Sequence, residues 1–224
     1  MSVLSAQNIS YFYRTKYQTV QAVNEVSCDL EAGLLYALVG KSGSGKTTLL
    51  SLLAGLERPQ SGRILVHGRD LSEMDVDLYR RSHASVIYQN YNLFPLMTVC
   101  ENVMYPLKLM KKSDAEARKC AQETLAKVGL GNSYWKRLPA MLSGGEQQRV
   151  AIARALAIHS EIILADEPTG NLDSENSSQI IELLYKLAHE EGCCVLVVTH
   201  DPEIAKTADA AFRMDSGRIK EDTV

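Results

Sequence analysis

The stretch LLYALVGKSGSGKTTLLSLL, Leu34 to Leu53, carries three patterns in order. Leu34 to Val39 is a short apolar run bounded by glycines, the pattern of a buried strand. Gly40 to Thr47 fits G-x-x-x-x-G-K-[ST]. Leu49, Leu52, Leu53 and Leu56 then recur at i, i+3, i+4 and i+7, which predicts an amphipathic helix stopping near Gly55. Strand, glycine-rich turn and helix together make an anion cradle. Backbone N–H groups turn inward, and the helix presents the positive end of its dipole. The expected phosphate contacts are Gly40, Lys41, Ser42, Gly43, Ser44, Gly45, Lys46, Thr47 and Thr48, with Lys46 reaching the β- and γ-phosphates and Thr47 offering its hydroxyl to Mg²⁺.

Working outward, two further apolar runs end in polar residues suited to such a site. Ile162 to Ala165 delivers Asp166, a second anchor for a metal, and then Glu167, a base for an attacking water. Cys193 to Thr199 delivers His200 to the same expected sheet edge. His200 contacts the γ-phosphate in one reading and caps the Asp201-Pro202 turn in the other. Gln89, after Ser85 to Tyr88, is an amide able to touch Mg²⁺ or water. Helical patterns at Glu146 to Ile158 and Ser177 to Glu190 alternate with these runs, and this predicts an α/β fold with a mainly parallel sheet. Between Asn90 and Pro139 the pattern turns helical, with capping boxes at Thr98/Glu101 and Ser113/Glu116.

The 224 residues, 46% hydrophobic and 23% charged, suffice for a sizeable core. A formal charge of -3 argues against nucleic acid as a partner. No apolar run approaches the ~20 residues that span a bilayer, and MSVLSAQN lacks the features of a signal peptide, so the expected location is cytosolic. The five cysteines form no C-x-x-C pair, and adjacent Cys193 and Cys194 point to opposite faces of a strand, so reduced packing roles are expected.

LSGGEQQR, Leu142 to Arg149, begins a helix with Ser143 as N-cap and Glu146 closing a capping box. A capping box does not ask for Gly144 and Gly145, which cost helix stability in the first turn. An anion at this helix end would use the hydroxyl, the bare N–H groups and the dipole together.

In this order the motifs resemble the ATP-binding subunit of an ATP-binding-cassette (ABC) transporter, over about residues 3 to 220. Gly40 to Thr47 resembles Walker A, Gln89 the Q-loop, Leu142 to Gln147 the signature, Ile162 to Asp166 Walker B, Asn171-Leu172-Asp173 the D-loop and His200 the H-loop. The resemblance implies a P-loop NTPase core with an N-terminal antiparallel β part and an inserted helical subdomain. One domain spans residues 1–224, with the core at about 1–89 and 140–224 and the helical subdomain at about 90–139. It also implies Glu167 as catalytic base, His200 at the catalytic centre, and metal contacts from Thr47, Gln89 and Asp166. ATP contacts come from Ser143, Gly144, Gly145, Glu146 and Asp173. Tyr13 falls where the family stacks an aromatic on adenine, with Tyr11 and Phe12 as neighbouring alternatives.

The implied assembly is an ATP-dependent head-to-tail homodimer bound to an integral membrane permease at the cytoplasmic face of the membrane. Asn90 to Met97 is the expected docking segment, through Tyr91 and Phe94, with Leu93 and Leu96 divided between docking and internal packing. Ala165 to Asp173 with LSGGEQQR is similar to the branch for lipoprotein release and for macrolide or antimicrobial-peptide export. A cell-division-type complex and an amino-acid importer are the alternatives. The chain ends soon after His200, so no C-terminal regulatory domain is expected.

Overall fold

The computed structural model describes residues 2–222. Residues 1, 223 and 224, the ends of the single-domain reading, lie outside the described residues. In chain order the elements are β1 (Ser2–Arg14), β2 (Thr19–Glu31), β3 (Leu35–Val39), α1 (Lys46–Leu53), β4 (Ser61–Val66), β5 (Arg69–Asp70), α2 (Val76–Ser82) and β6 (Ala84–Tyr88). There follow α3 (Val99–Leu109), α4 (Asp114–Lys127), α5 (Gly144–Leu156), β7 (Ile162–Asp166), α6 (Ser174–Glu191), β8 (Cys194–Thr199), α7 (Pro202–Thr207), β9 (Ala210–Asp215) and β10 (Arg218–Asp222).

The strands form a six-stranded sheet, order β10-β9-β3-β8-β7-β6, and a four-stranded sheet, order β2-β1-β4-β5. In the larger sheet β9, β3, β8, β7 and β6 are parallel and β10 is antiparallel. The smaller sheet is antiparallel throughout. β3 and β8 are buried along their whole length, as central strands of a sheet covered on both faces must be. Cys193 and Cys194 lie in different hydrophobic clusters, one on each side of the sheet, and all five cysteines are free.

Between β6 and α5 the chain is helical, as the capping boxes predict; both are closed, at Thr98/Glu101 and Ser113/Glu116. α4 buries Ala117, Ala121, Thr124 and Leu125, one narrow stripe of a polar helix. α6 begins at Ser174 rather than Ser177, because Asp173 accepts a hydrogen bond from the Asn176 amide and caps it. α1 ends at Leu53, and Leu56, the last residue of the expected apolar stripe, is beyond it and exposed. β2, β5, α2, α7, β9 and β10 are not picked out segment by segment in the sequence reading; most are short, and β2 alternates only over Val26 to Leu30. No helix among the described residues is long and apolar enough to cross a membrane.

Register brings the strand ends together. Val39 pairs with Thr199, Asp166 with Val198, and Tyr88 with Asp166. Gly40, His200, Glu167 and Gln89 therefore leave the same carboxyl edge of one parallel sheet, where ligands of open α/β folds bind.

Candidate active site

The loop between β3 and α1 is pressed against the backbones of β2 and β9. Gly45 has φ 108, and a Cβ there would lie 2.0 Å from the Ala22 carbonyl oxygen, so neither the conformation nor the space admits a side chain. Lys46, nearly buried, donates from Nζ to the Gly40 carbonyl at 2.7 Å and the Lys41 carbonyl at 3.0 Å. The Ser44 hydroxyl is buried with no hydrogen-bond partner among the described residues. A buried polar atom without a partner is costly, and a phosphate oxygen in the cradle would satisfy it.

The Thr47 hydroxyl donates to Asp166 Oδ1 at 3.1 Å, joining the first turn of α1 to the end of β7. Burial pushes the Asp166 carboxyl above its ordinary range. The Thr47 bond and the Lys46 charge oppose this, and neighbouring Glu167 adds to it. A hydroxyl and a carboxylate under this desolvation are a hard-oxygen donor pair that a divalent cation would relieve, and they fit Mg²⁺ with phosphate and water completing its shell.

Glu167 adopts φ 47, a left-handed conformation unusual for a glutamate, and its backbone N–H donates to the Val198 carbonyl at 2.9 Å. His200 Nδ1 lies 3.0 Å and 2.9 Å from the two Glu167 carboxylate oxygens. The Thr199 hydroxyl donates to Oε2 at 3.4 Å. The carboxylate is thus held from the neighbouring strand end. The Asp201 side chain caps α7, so the capping alternative for His200 falls to its neighbour.

Tyr13, Ser42, Gly43, Gly45, Lys46, Thr47, Thr48, Gln89, Glu167 and His200 line one cleft of about 670 Å³. Of the three adjacent aromatics only Tyr13 faces it. Its hydroxyl is 3.4 Å from that of Thr48 and its ring meets Tyr11 edge-on, while Tyr11 bonds Glu57 and Phe12 lies under the Arg14 guanidinium. Gln89 Nε2 donates to Asn171 Oδ1 at 3.4 Å, and Asn171 returns a bond to the Gln89 carbonyl at 3.0 Å. Val20, Gln21 and Ala22 as cleft wall escape the sequence reading because β2 carries no motif, and the anchoring of Gln89 by Asn171 escapes it because the two lie 82 residues apart.

Ser143, Gly144, Gly145, Glu146 and Asp173 do not line this cleft. Ser143 and Glu146 form the expected capping box, with the Ser143 N–H donating to Glu146 Oε2 at 2.8 Å. Burial raises the Glu146 carboxyl, but bonds from Ser143 and Tyr134 outweigh it and hold the group below its ordinary range. The glycines have a cause within the chain that the sequence did not disclose. A Cβ on Gly145 would lie 2.5 Å from Asn176 Oδ1, and one on Gly144 would lie 2.8 Å from the Tyr91 hydroxyl and 3.1 Å from Leu172 Cδ2. Side chains of the α6 cap and of the segment after β6 thus stand close to the start of α5, a reason for small residues there beside the anion reading. Tyr91, expected at a partner surface, has its hydroxyl turned to this junction. Leu96 is 91% exposed, against the packing alternative, whereas Leu93 packs on the core.

A family model described as ABC transporter matches residues 23–170. The chain is 39% identical to the uncharacterized ABC transporter ATP-binding protein YclH of Bacillus subtilis, over 97% of this chain and 95% of that protein. It is 41% identical to the lipoprotein-releasing system ATP-binding protein LolD of Chromohalobacter salexigens, over 98% and 94% of the two chains. Among solved structures, the dimeric post-hydrolysis state of the ATP-binding cassette MJ0796 bound to ADP and Pi superposes with TM-score 0.89 at 36% identity, covering 98% of each chain.

Proposed function

The chain belongs to the ABC transporter family as an ATP-binding, ATP-hydrolysing cassette, and from that premise we propose that it powers a membrane permease of the exporter or extractor type. The observation that carries the catalytic part is the convergence of the phosphate loop, Asp166 and the His200-held Glu167 on one sheet edge. Lys46 and the loop amides bind the phosphates, Tyr13 takes the base, and Thr47 and Asp166, with Gln89 nearby, hold Mg²⁺. When bound, that ion neutralises phosphate charge. Glu167 accepts a proton from the attacking water, and His200 fixes the orientation of its carboxylate. Asp173 and the signature residues act from the other subunit of a head-to-tail dimer.

Likeness to LolD supports the extractor branch. A groove of about 320 Å³ supports a docking surface: Leu56, Phe94, Tyr105 and Leu109 present apolar side chains between the parallel core and the proposed subdomain at about 90–139. Its occupant would be a cytoplasmic helix of the permease, which places the protein peripherally at the cytoplasmic face of the membrane.

Two measurements test this reading. Tyr13→Ala removes the tyrosine ring that lines the cleft. It is expected to weaken ATP binding by about 10-fold or more, as stacking on a base is worth ~1–3 kcal/mol, with thermal stability little changed because Tyr13 is 45% exposed. Equilibrium titration with ATP reads it, and an unchanged affinity removes Tyr13 from the site. For the dimer, Ser143→Arg fills the exposed start of α5 without the clash that a substitution at Gly144 would bring. It is expected to be inactive alone, as is Lys46→Met, yet mixing the two restores turnover. One mixed site then pairs an intact loop with an intact signature. If the mixture stays inactive while mixed dimers of the two variants form with Mg·ATP, the site is not shared between chains.

A further inference from the structure

At the opposite end of β7 from Asp166, roughly 16 Å away at ~3.3 Å per residue, His67, His83 and Glu161 converge. One ligand atom from each lies within 4.8 Å of the others. His67 sits in the turn between β4 and β5 with φ 49, His83 ends α2, and Glu161 precedes β7. Glu161 Oε1 takes both imidazoles, with His83 Nδ1 at 2.7 Å and His67 Nε2 at 2.8 Å. Backbone pairing fixes two of the three positions. The His83 carbonyl accepts from the Ile162 N–H at 3.0 Å, the Glu161 carbonyl accepts from the Cys194 N–H at 2.8 Å, and the His83 ring stacks on Tyr79.

We propose that His67 Nε2, His83 Nδ1 and a Glu161 oxygen form a three-ligand site for a divalent transition-metal ion of the zinc class, with water as fourth ligand. Two imidazoles and one carboxylate suit Zn²⁺ and its neighbours, not Mg²⁺. Tetrahedral coordination at ~2.0–2.1 Å sets ligand atoms about 3.3 Å apart. The two His–Glu161 spacings of 2.7 and 2.8 Å need to open by about half an ångström, and the two imidazole nitrogens, within 4.8 Å of each other, need to settle at the same separation. The side chains, 50%, 38% and 34% exposed, are free enough to make that movement and open enough to admit a water. A bound ion would tie the antiparallel sheet, through the β4–β5 turn, to the edge of the parallel sheet at β6 and β7. This site is independent of the nucleotide cleft and of the function proposed there.

The test is titration of the metal-free full chain with Zn²⁺ and, as a spectroscopic probe, Co²⁺. The expected result is one equivalent bound, a raised thermal midpoint with Zn²⁺, and visible Co²⁺ bands of four-coordinate nitrogen–oxygen ligation. His67→Asn, which tolerates the left-handed turn, is expected to abolish the one-equivalent binding while leaving fold and basal ATP turnover intact. Glu161→Gln should abolish it as well, whereas Glu167→Gln in the nucleotide cleft should not. Three results would overturn the proposal. They are no binding by the wild-type chain, which leaves a plain His–Glu–His hydrogen-bond bridge; binding that survives in both His67→Asn and Glu161→Gln; or a thiolate charge-transfer band, which would put the ion on cysteines.

Discussion

Glu167→Gln is expected to bind ATP normally and to lose about 10²- to 10⁴-fold in turnover, the contribution of a positioned general base. The amide matches the carboxylate in size and still offers an oxygen to His200 Nδ1, so the geometry of the strand end is kept. What disappears is the ability to accept a proton from water. The substitution also removes a negative charge beside Asp166, where Glu167 contributes to the raised pKa. The folded variant should therefore be no less stable than the parent. With Mg·ATP it should accumulate as a dimer on gel filtration, because ATP that is not hydrolysed continues to bridge two chains. Single-turnover hydrolysis and elution volume read the two outcomes. Wild-type turnover by the folded variant would remove Glu167 from the base role.

Lys46→Met should have a comparably large effect through a different step. Lys46 is nearly buried and its ammonium bonds the Gly40 and Lys41 carbonyls at 2.7 and 3.0 Å, so it both shapes the loop and supplies charge to incoming phosphates. Methionine fills the volume but donates nothing. Loss of charge-assisted bonds worth ~1.5–3 kcal/mol each predicts ATP affinity lower by about 10²-fold, with turnover falling in parallel. A fluorescent-nucleotide titration measures it. Unchanged affinity in the folded variant would mean that Lys46 serves the loop alone.

Much of this site is legible along the chain because each part is local. The phosphate loop needs closely spaced glycines ahead of a helix, and Asp166, Glu167, His200 and Gln89 each follow a short run of strand length. Capping boxes at Thr98, Ser113 and Ser143 are likewise four-residue patterns, and all are closed in the structure. Where the sequence was incomplete, the cause was a contact it does not encode locally. Gly144 and Gly145 looked superfluous to a helix start because Tyr91 and Asn176, which crowd them, lie far off in sequence.

The sequence by itself determined which residues have the chemistry for ATP binding and hydrolysis, and that they stand at strand ends and helix starts. Local spacing and periodicity are enough for that. Only the tertiary structure decided that Thr47 meets Asp166 across 119 residues and that His200 holds Glu167 across 33. These contacts follow from the strand order β3-β8-β7-β6 and its register. Strand order is set by which faces bury the most apolar surface together, a property of the whole core that no single segment carries.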